Sequence, residues 1–477
     1  MREINQIYVN GEFILPQGNE TLDLINPSNK EVITRVRLAD ETDTQKAICA
    51  AKEAFKTFSK TTKEERIALL KNLHESFINR ESELVSAVVE EYGAPISRAR
   101  NMVKMAGNRF VSEMEILEDF NFSERSKNAG IFFEPIGVVG LISPWNADYY
   151  FIAKIATILA TGCTVVIKPS ELSAYQTQIM TECIHNANLP KGVVNVVTGR
   201  GDVVGNELSI NPDVDQISFT GSTSVGKIIL QRAADTVKKV GLELGGKSAN
   251  IILEDADLQK AIPRALQIAY MNNGQACLAG TRLLIPERKL EEIKNIIKFA
   301  IKDIKIGDPN NEETTLGPIV TQKQFNRVQN YIKIGLEEGA ELLVGGLDSP
   351  EGLENGYYVK PTVFTNVTMD MTIAKEEIFG PVLSVLTYQT EKEAIEIANN
   401  TTYGLAGYIS ASDTEHANKI ALELRAGTIF INDPAFDEKA PFGGYKQSGL
   451  GRENGRWGFE EYLEVKTIML GNTSFPL

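Results

Sequence analysis

From residue 137 onward, short β-branched runs at 137–142, 164–168, 192–198, 216–220 and 240–244 alternate with stretches of helical periodicity. No other feature of the chain narrows its fold as far. Runs of this kind are apolar on both faces, so helices have to cover both sides of the sheet they form. The expectation is an α/β fold with a parallel, doubly wound sheet. Ligands of such sheets sit beyond the carboxyl ends of the strands. The polar and glycine-rich words of this stretch fall at those ends: Ser143-Pro144-Trp145-Asn146, Lys168-Pro169-Ser170-Glu171, Gly221-Ser222-Thr223-Ser224-Val225-Gly226 and Glu243-Leu244-Gly245-Gly246-Lys247. Several strand ends are thus expected to converge on one crevice.

Strand candidates at 250–253, 282–285, 382–386, 407–410 and 428–432 form a second alternating region and suggest a second α/β domain. Ahead of the first, Ala47, Ala51, Phe55 and Phe58 recur at helical spacing over 42–60. The pattern continues over 65–91 with Ile67, Leu70, Ile78, Leu84 and Val88. Segments 118–134 and 461–469 read as strand without neighbouring helices, which suits a hairpin and tail projecting onto another subunit.

Composition removes several partner classes. Lys and Arg total 49 against 63 Asp and Glu, and the net charge of −14 repels nucleic acid and anionic lipid surfaces alike. The opening MREINQIYVNGEF lacks an apolar signal core, and the longest apolar runs fall well short of the roughly 20 residues that cross a membrane. A cytoplasmic protein is expected. Cys49, Cys163, Cys183 and Cys277 show no CxxC spacing, and His74, His185 and His416 lie far apart, so no disulfide framework and no metal site is expected.

The chemistry concentrates in few residues. Gly221 to Gly226 follow a strand and open a helix, where unpaired NH groups and the helix dipole suit a phosphate. Read alone, this word is a tight βα turn more often than a nucleotide site. Lys168 and Glu171 stand where a nucleotide ribose would lie, and a carboxylate there favours NAD over NADP. Ser170 as the cap of a solvated loop is the plain alternative. Cys277 lies among small residues in Gly274-Gln275-Ala276-Cys277-Leu278-Ala279-Gly280, whereas the other three cysteines read as small buried hydrophobes. Glu243 ends a buried-looking strand, and desolvation there raises a carboxyl pKa towards that of a general base. Its alternative is an ion pair with Lys247. Asn146 offers an amide to an oxyanion beside the backbone NH of Cys277, though asparagine at a strand end is mostly a turn former.

Together these words resemble the aldehyde dehydrogenase superfamily along essentially the whole chain. They stand in the family's order: PWN at 144–146, KPSE at 168–171, FTGSTSVG at 219–226, ELGGKS at 243–248, NNGQACLAG at 272–280, EEIFGPV at 376–382 and PFGGYKQSGLGRE at 441–453. The resemblance implies a Rossmann-like NAD-binding domain over 1–117 and 136–246, and a catalytic domain over 247–445. It further implies a small β oligomerisation element over 118–135 and 446–477, in a homodimer or homotetramer. Cys277 is then the nucleophile, Glu243 the base that activates the hydrolytic water, and Asn146 the oxyanion donor.

By the same resemblance NAD contacts Ile142, Ser143, Pro144, Trp145, Lys168, Ser170, Glu171, Gly201, Gly205 and Phe219. Thr220, Gly221, Ser222, Val225, Leu244, Gly245, Gln324, Glu377 and Phe379 complete the set. No metal is implied. Many relatives follow the PWN asparagine with an aromatic residue and a proline, whereas Ala147-Asp148-Tyr149-Tyr150 follow it here. The implied tunnel wall is altered at Ala147 and Tyr150, with Phe436 and Phe442 opposite. Three rivals compete with hydrolytic aldehyde oxidation. A coenzyme A-acylating semialdehyde dehydrogenase would typically lack Glu243. A non-catalytic protein on this fold has no need of the three residues together. A cysteine hydrolase needs a histidine beside Cys277.

Overall fold

The computed structural model describes residues 1–146, 151–434 and 437–469. Among these residues the strands form sheets of eight and seven strands and two small sheets of three. Five parallel strands make the centre of the larger sheet, in the order Lys239–Glu243, Gln216–Thr220, Val138–Ile142, Thr164–Lys168, Val194–Val196. Their β-branched residues are buried on both faces, as in Val165, Val166 and Ile167. The helix Glu41–Phe58 covers one side, and the helices Phe151–Thr161, Lys63–Ile78 and Ile96–Asp119 pack together on the other. Antiparallel strands close both edges: Gly449–Leu450 against Lys239–Glu243, and Ile7–Val9 with Glu12–Ile14 beyond Val194–Val196. The fold is therefore α/β with a doubly wound parallel sheet.

The seven-stranded sheet runs Glu341–Val344, Thr362–Thr365, Val382–Tyr388, Arg282–Pro286, Ala249–Ile252, Ala406–Ser410, Thr428–Ile431, with the first strand antiparallel and the rest parallel. Its first two strands escaped the sequence reading. Glu341–Val344 is an edge strand that stays half-buried, and Thr362–Thr365 carries only two bulky apolar residues between threonines.

Three segments differ from expectation. The helical pattern over 65–91 is two helices, Lys63–Ile78 and Glu81–Tyr92, because Asn79 and Arg80 close one and begin the next while the apolar face continues. Segment 118–134 begins inside the helix Ile96–Asp119, and its strands are Ser123–Ser126 and Ala129–Pro135. The tail strand Leu463–Met469 pairs with Ala129–Pro135 but follows the helix Gly455–Glu460 directly, so helices adjoin both parts. Cys49 is exposed, not buried, since it lies on the outer face of the helix Glu41–Phe58. Among the described residues no helix is long and apolar enough to cross a membrane.

Candidate active site

Chain order reverses in the larger sheet between Val138–Ile142 and Gln216–Thr220. Later strands add outward on one side through Thr164–Lys168 and on the other through Lys239–Glu243. A crevice opens at such a switch point. Register aligns the strand ends along it: Ile142 lies opposite both Lys168 and Phe219, and Thr220 lies opposite Glu243. The nucleotide-type residues line the same edge. Ser143 N donates to the Lys168 carbonyl at 3.1 Å, and Lys168 Nζ meets Glu171 Oε2 at 2.5 Å. Ser170 caps the short turn Glu171–Ser173 by accepting from Leu172 N at 3.2 Å.

Across the crevice, Ser222 caps the helix Thr223–Ala233, accepting from Val225 N at 3.4 Å. Gly221 sits over the Phe219 ring, where a Cβ would approach to 2.4 Å. Leu244 packs on Gly226, where a Cβ would approach to 2.7 Å. The floor is open at Gly201, where a Cβ would meet nothing within 4 Å, and at Gly205 only Ile142 lies near, at 3.7 Å. A glycine-lined floor, a capped helix start and a carboxylate beyond the second strand fit a dinucleotide. Pro144 leads into Trp145, whose ring stands edge-on to Phe379 at 5.4 Å between centroids. Phe379 itself adopts a left-handed φ of 63°. Gln324 Nε2 donates to the Ile378 and Phe379 carbonyls at 3.2 and 2.8 Å, so both of its amide hydrogens hold that bend and its Oε1 remains as an acceptor.

Cys277 lies in the loop after the helix Leu258–Tyr270, separated from it by the turn Met271–Gly274. Asn272 and Asn273 in that turn take left-handed φ values of 55° and 60°, which asparagine tolerates better than other side chains. Asn146 Nδ2 donates to the Gln275 carbonyl at 2.9 Å, and Gln275 is fixed in turn by Val320 N and the Tyr92 hydroxyl. An amide nitrogen carries two hydrogens, so one on Asn146 is left beyond the bond to Gln275. Desolvation, with the Glu377 and Glu243 carboxylates near it, pushes the Cys277 thiol up to about 12.

Glu243 is buried, and its Oε2 has no hydrogen-bond partner among the described residues. Burial first, and the Glu453 charge second, raise its carboxyl well above the usual range, while Lys154 and Arg452 pull the other way. Lys154 and Glu453 form an ion pair, and Lys154 Nζ also donates to Thr220 Oγ1 at 2.7 Å. Neither residue stood out as a site candidate. Yet Lys154 is the one charge in the buried helix Phe151–Thr161, and Glu453 closes the last motif word. The expected alternative, an ion pair between Glu243 and Lys247, does not form: Lys247 Nζ is buried without a hydrogen-bond partner among the described residues. Glu377 instead reaches the glycine turn, accepting from Gly246 N at 3.0 Å.

Phe442 exchanges 2.7 Å backbone hydrogen bonds with Glu453, and the next residue, Gly443, abuts Glu243 so closely that a Cβ there would lie 2.8 Å from Oε1. Ala147, Tyr150 and Phe436 lie outside the described residues. The histidines are engaged elsewhere: His74 packs on Phe110, His185 on Tyr8 and Phe13, and His416 bonds Glu391 at 2.9 Å. No cluster of three or more metal-ligating side chains occurs among the described residues.

The sequence model of the aldehyde dehydrogenase family matches residues 13–468. A 3-succinoylsemialdehyde-pyridine dehydrogenase from Pseudomonas sp is 43% identical over 472 residues, spanning 98% of this chain and 99% of that protein. A putative aldehyde dehydrogenase from Staphylococcus haemolyticus is 46% identical over 470 residues, spanning 98% and 99%. Among solved structures, a cysteine-to-alanine mutant of aldehyde dehydrogenase C from Pseudomonas syringae, bound to NAD+ and octanal, superposes with a TM-score of 0.97. It is 42% identical, with 99% and 98% of the two chains covered. With the family model matched along nearly its whole length, the chain belongs to the aldehyde dehydrogenase family, oxidoreductases that act on aldehydes.

Proposed function

We propose that this enzyme oxidises an aldehyde to the carboxylic acid with NAD, through a thioester on Cys277 that water hydrolyses. The observation that carries the reading is that the Glu243 and Glu377 carboxylates both lie within electrostatic reach of Cys277, at a crevice whose floor fits a dinucleotide. Relatives with bound NAD+ support it. NAD, when bound, accepts the hydride. Cys277 Sγ passes its proton to the Glu243 carboxylate, which relays it to solvent, and the sulfur attacks the aldehyde carbon as the carbonyl π bond opens to an oxyanion held by Asn146 and the Cys277 NH. After the hydride leaves, Glu243 takes a proton from water as its oxygen adds to the thioester carbon. Collapse releases the acid and frees the sulfur. A buried carboxyl with a raised pKa suits that step, and its presence favours water over coenzyme A as acceptor.

Residues 1–117 and 136–246 are assigned to NAD and 247–445 to catalysis. Glu171 would accept hydrogen bonds from the adenosine ribose and disfavour the extra phosphate of NADP, with Lys168 holding it in place. The tail strand Leu463–Met469 is the outer strand of its sheet and leaves Val465 61% and Met469 74% exposed. Its open edge, with residues 118–135, supports a homodimer or homotetramer, which sedimentation would measure.

Stopped-flow detection of NADH tests the chemistry. Glu243→Gln is expected to release one NADH per active site in a burst and then turn over slowly. Cys277→Ala is expected to give none while still binding NAD. Steady-state turnover by Glu243→Gln at the parent rate would assign hydrolysis to another base.

A further inference from the structure

Beside the turn Met271–Gly274 that precedes Cys277, a cavity of about 240 Å³ opens between the start of the helix Ile96–Asp119, the helix Leu258–Tyr270 and the turn Ile301–Asp303. Pro95, Leu266, Tyr270 and Met271 give it apolar walls, while Arg98 and Asp303 contribute the charges. Asp303 is exposed, whereas Arg98 is half-buried. Arg100, two residues on, grips Glu312 through two hydrogen bonds of 2.8 and 2.6 Å. Arg98 has no such partner: it forms no ion pair among the described residues, and its Nε is buried without a hydrogen bond. A buried Nε left without a partner is costly, and the planar guanidinium fork is built to take a carboxylate. The volume lies below the roughly 300–1,000 Å³ of pockets for drug-sized ligands, so it suits a small occupant.

We propose that this cavity is a second ligand site, for a small organic monocarboxylate that lays its apolar body on Leu266, Tyr270 and Met271 and pairs its carboxylate with Arg98. Asp303 repels a second negative charge and so orients the ligand. The cavity floor belongs to the segment that carries the nucleophile. Tyr270 and Met271 run into Asn272, whose Nδ2 donates at 3.3 Å to the carbonyls of Asn146 and Gln275. A ligand pressing on Met271 thus bears on the loop that ends at Cys277 and on the oxyanion asparagine. The acid released by aldehyde oxidation is a ligand of this class, which makes the site a reader of product. An aldehyde that carries a carboxylate at its far end presents the same group. The inference goes beyond the proposed reaction, and binding alone tests it.

Calorimetric titration of the full chain with hexanoate, and with hexanamide as its uncharged match, is the experiment. Hexanoate is expected to bind saturably and hexanamide at least about tenfold more weakly, as loss of a charge-assisted pair implies. Arg98→Gln should lose hexanoate by a similar factor while its thermal unfolding and its weak hexanamide binding stay unchanged, and Arg98→Lys should recover part of the loss. Steady-state kinetics separate the two sources. Inhibition by hexanoate that is non-competitive against aldehyde marks a separate product site. A KM that rises in Arg98→Gln only for aldehydes with a distal carboxylate marks the substrate's own tail. Absence of saturable hexanoate binding, or equal binding by the parent and Arg98→Gln, overturns the proposal.

Discussion

Replacing Gly245 by alanine tests whether Glu377 is held in place for the cofactor. The added Cβ would stand 2.3 Å from Glu377 Oε2 and 2.7 Å from its Cδ. Gly245 does not take a left-handed φ, so backbone strain does not confuse the result. To reach ordinary contact the carboxylate has to withdraw by about 1 Å, and its 3.0 Å hydrogen bond from Gly246 N cannot survive that shift. A hydrogen bond to a charged group contributes about 1.5–3 kcal/mol. If Glu377 orients a ribose from that position, NAD affinity falls by roughly 10- to 150-fold. Trp145 stands against Phe379, close to Glu377 in the chain, so quenching of its fluorescence by NAD is the assay. Glu377→Gln serves as comparison and thermal unfolding as the control for folding. A Gly245→Ala protein that binds NAD within about twofold of the parent would show that this carboxylate takes no part in holding the cofactor.

Two further outcomes follow from the charges around the crevice. Glu243 is raised by burial and by the Glu453 charge, so its basic form gathers only as pH climbs through that raised value. Glu453→Gln removes the like charge, and the rising limb of the kcat–pH profile should move to lower pH; an unmoved limb would refute the coupling. Glu171→Gln removes the carboxylate that binds Lys168. The kcat/KM ratio of NADP to NAD should rise by about tenfold or more, and an unchanged ratio would take Glu171 out of cofactor choice.

The sheet was legible where sequence and burial agree. Thr164–Lys168 and Gln216–Thr220 have the expected bounds because strands buried on both faces need unbroken apolar or β-branched runs. The break at Asn79 and Arg80 was hidden because Leu73, Phe77, Leu84 and Val88 keep one continuous apolar face across it. The strand end at Glu243 and the cysteine loop were readable from short words, since glycine, asparagine and proline mark where the backbone turns. What surrounds Glu243 was not. Lys154 and Glu453 lie 299 residues apart in the chain, and neither hydrophobic period nor turn chemistry says that a helix lysine and a loop glutamate will meet beside Glu243.

The strand Gly449–Leu450, set antiparallel against Lys239–Glu243 with Gly449 opposite Glu243, has a consequence for how the enzyme comes into being. The segment that brings Gly443, Arg452 and Glu453 to Glu243 is made roughly 200 residues after it, some 10–40 s later at about 5–20 residues per second. A nascent or truncated chain ending before that segment already carries Cys277, Glu243 and Lys154, but its carboxylate lacks the Arg452 and Glu453 charges that help to tune it. The hydrolytic half of the chemistry is thus completed last, when the end of the chain docks as the edge of a sheet begun some 440 residues earlier at Ile7.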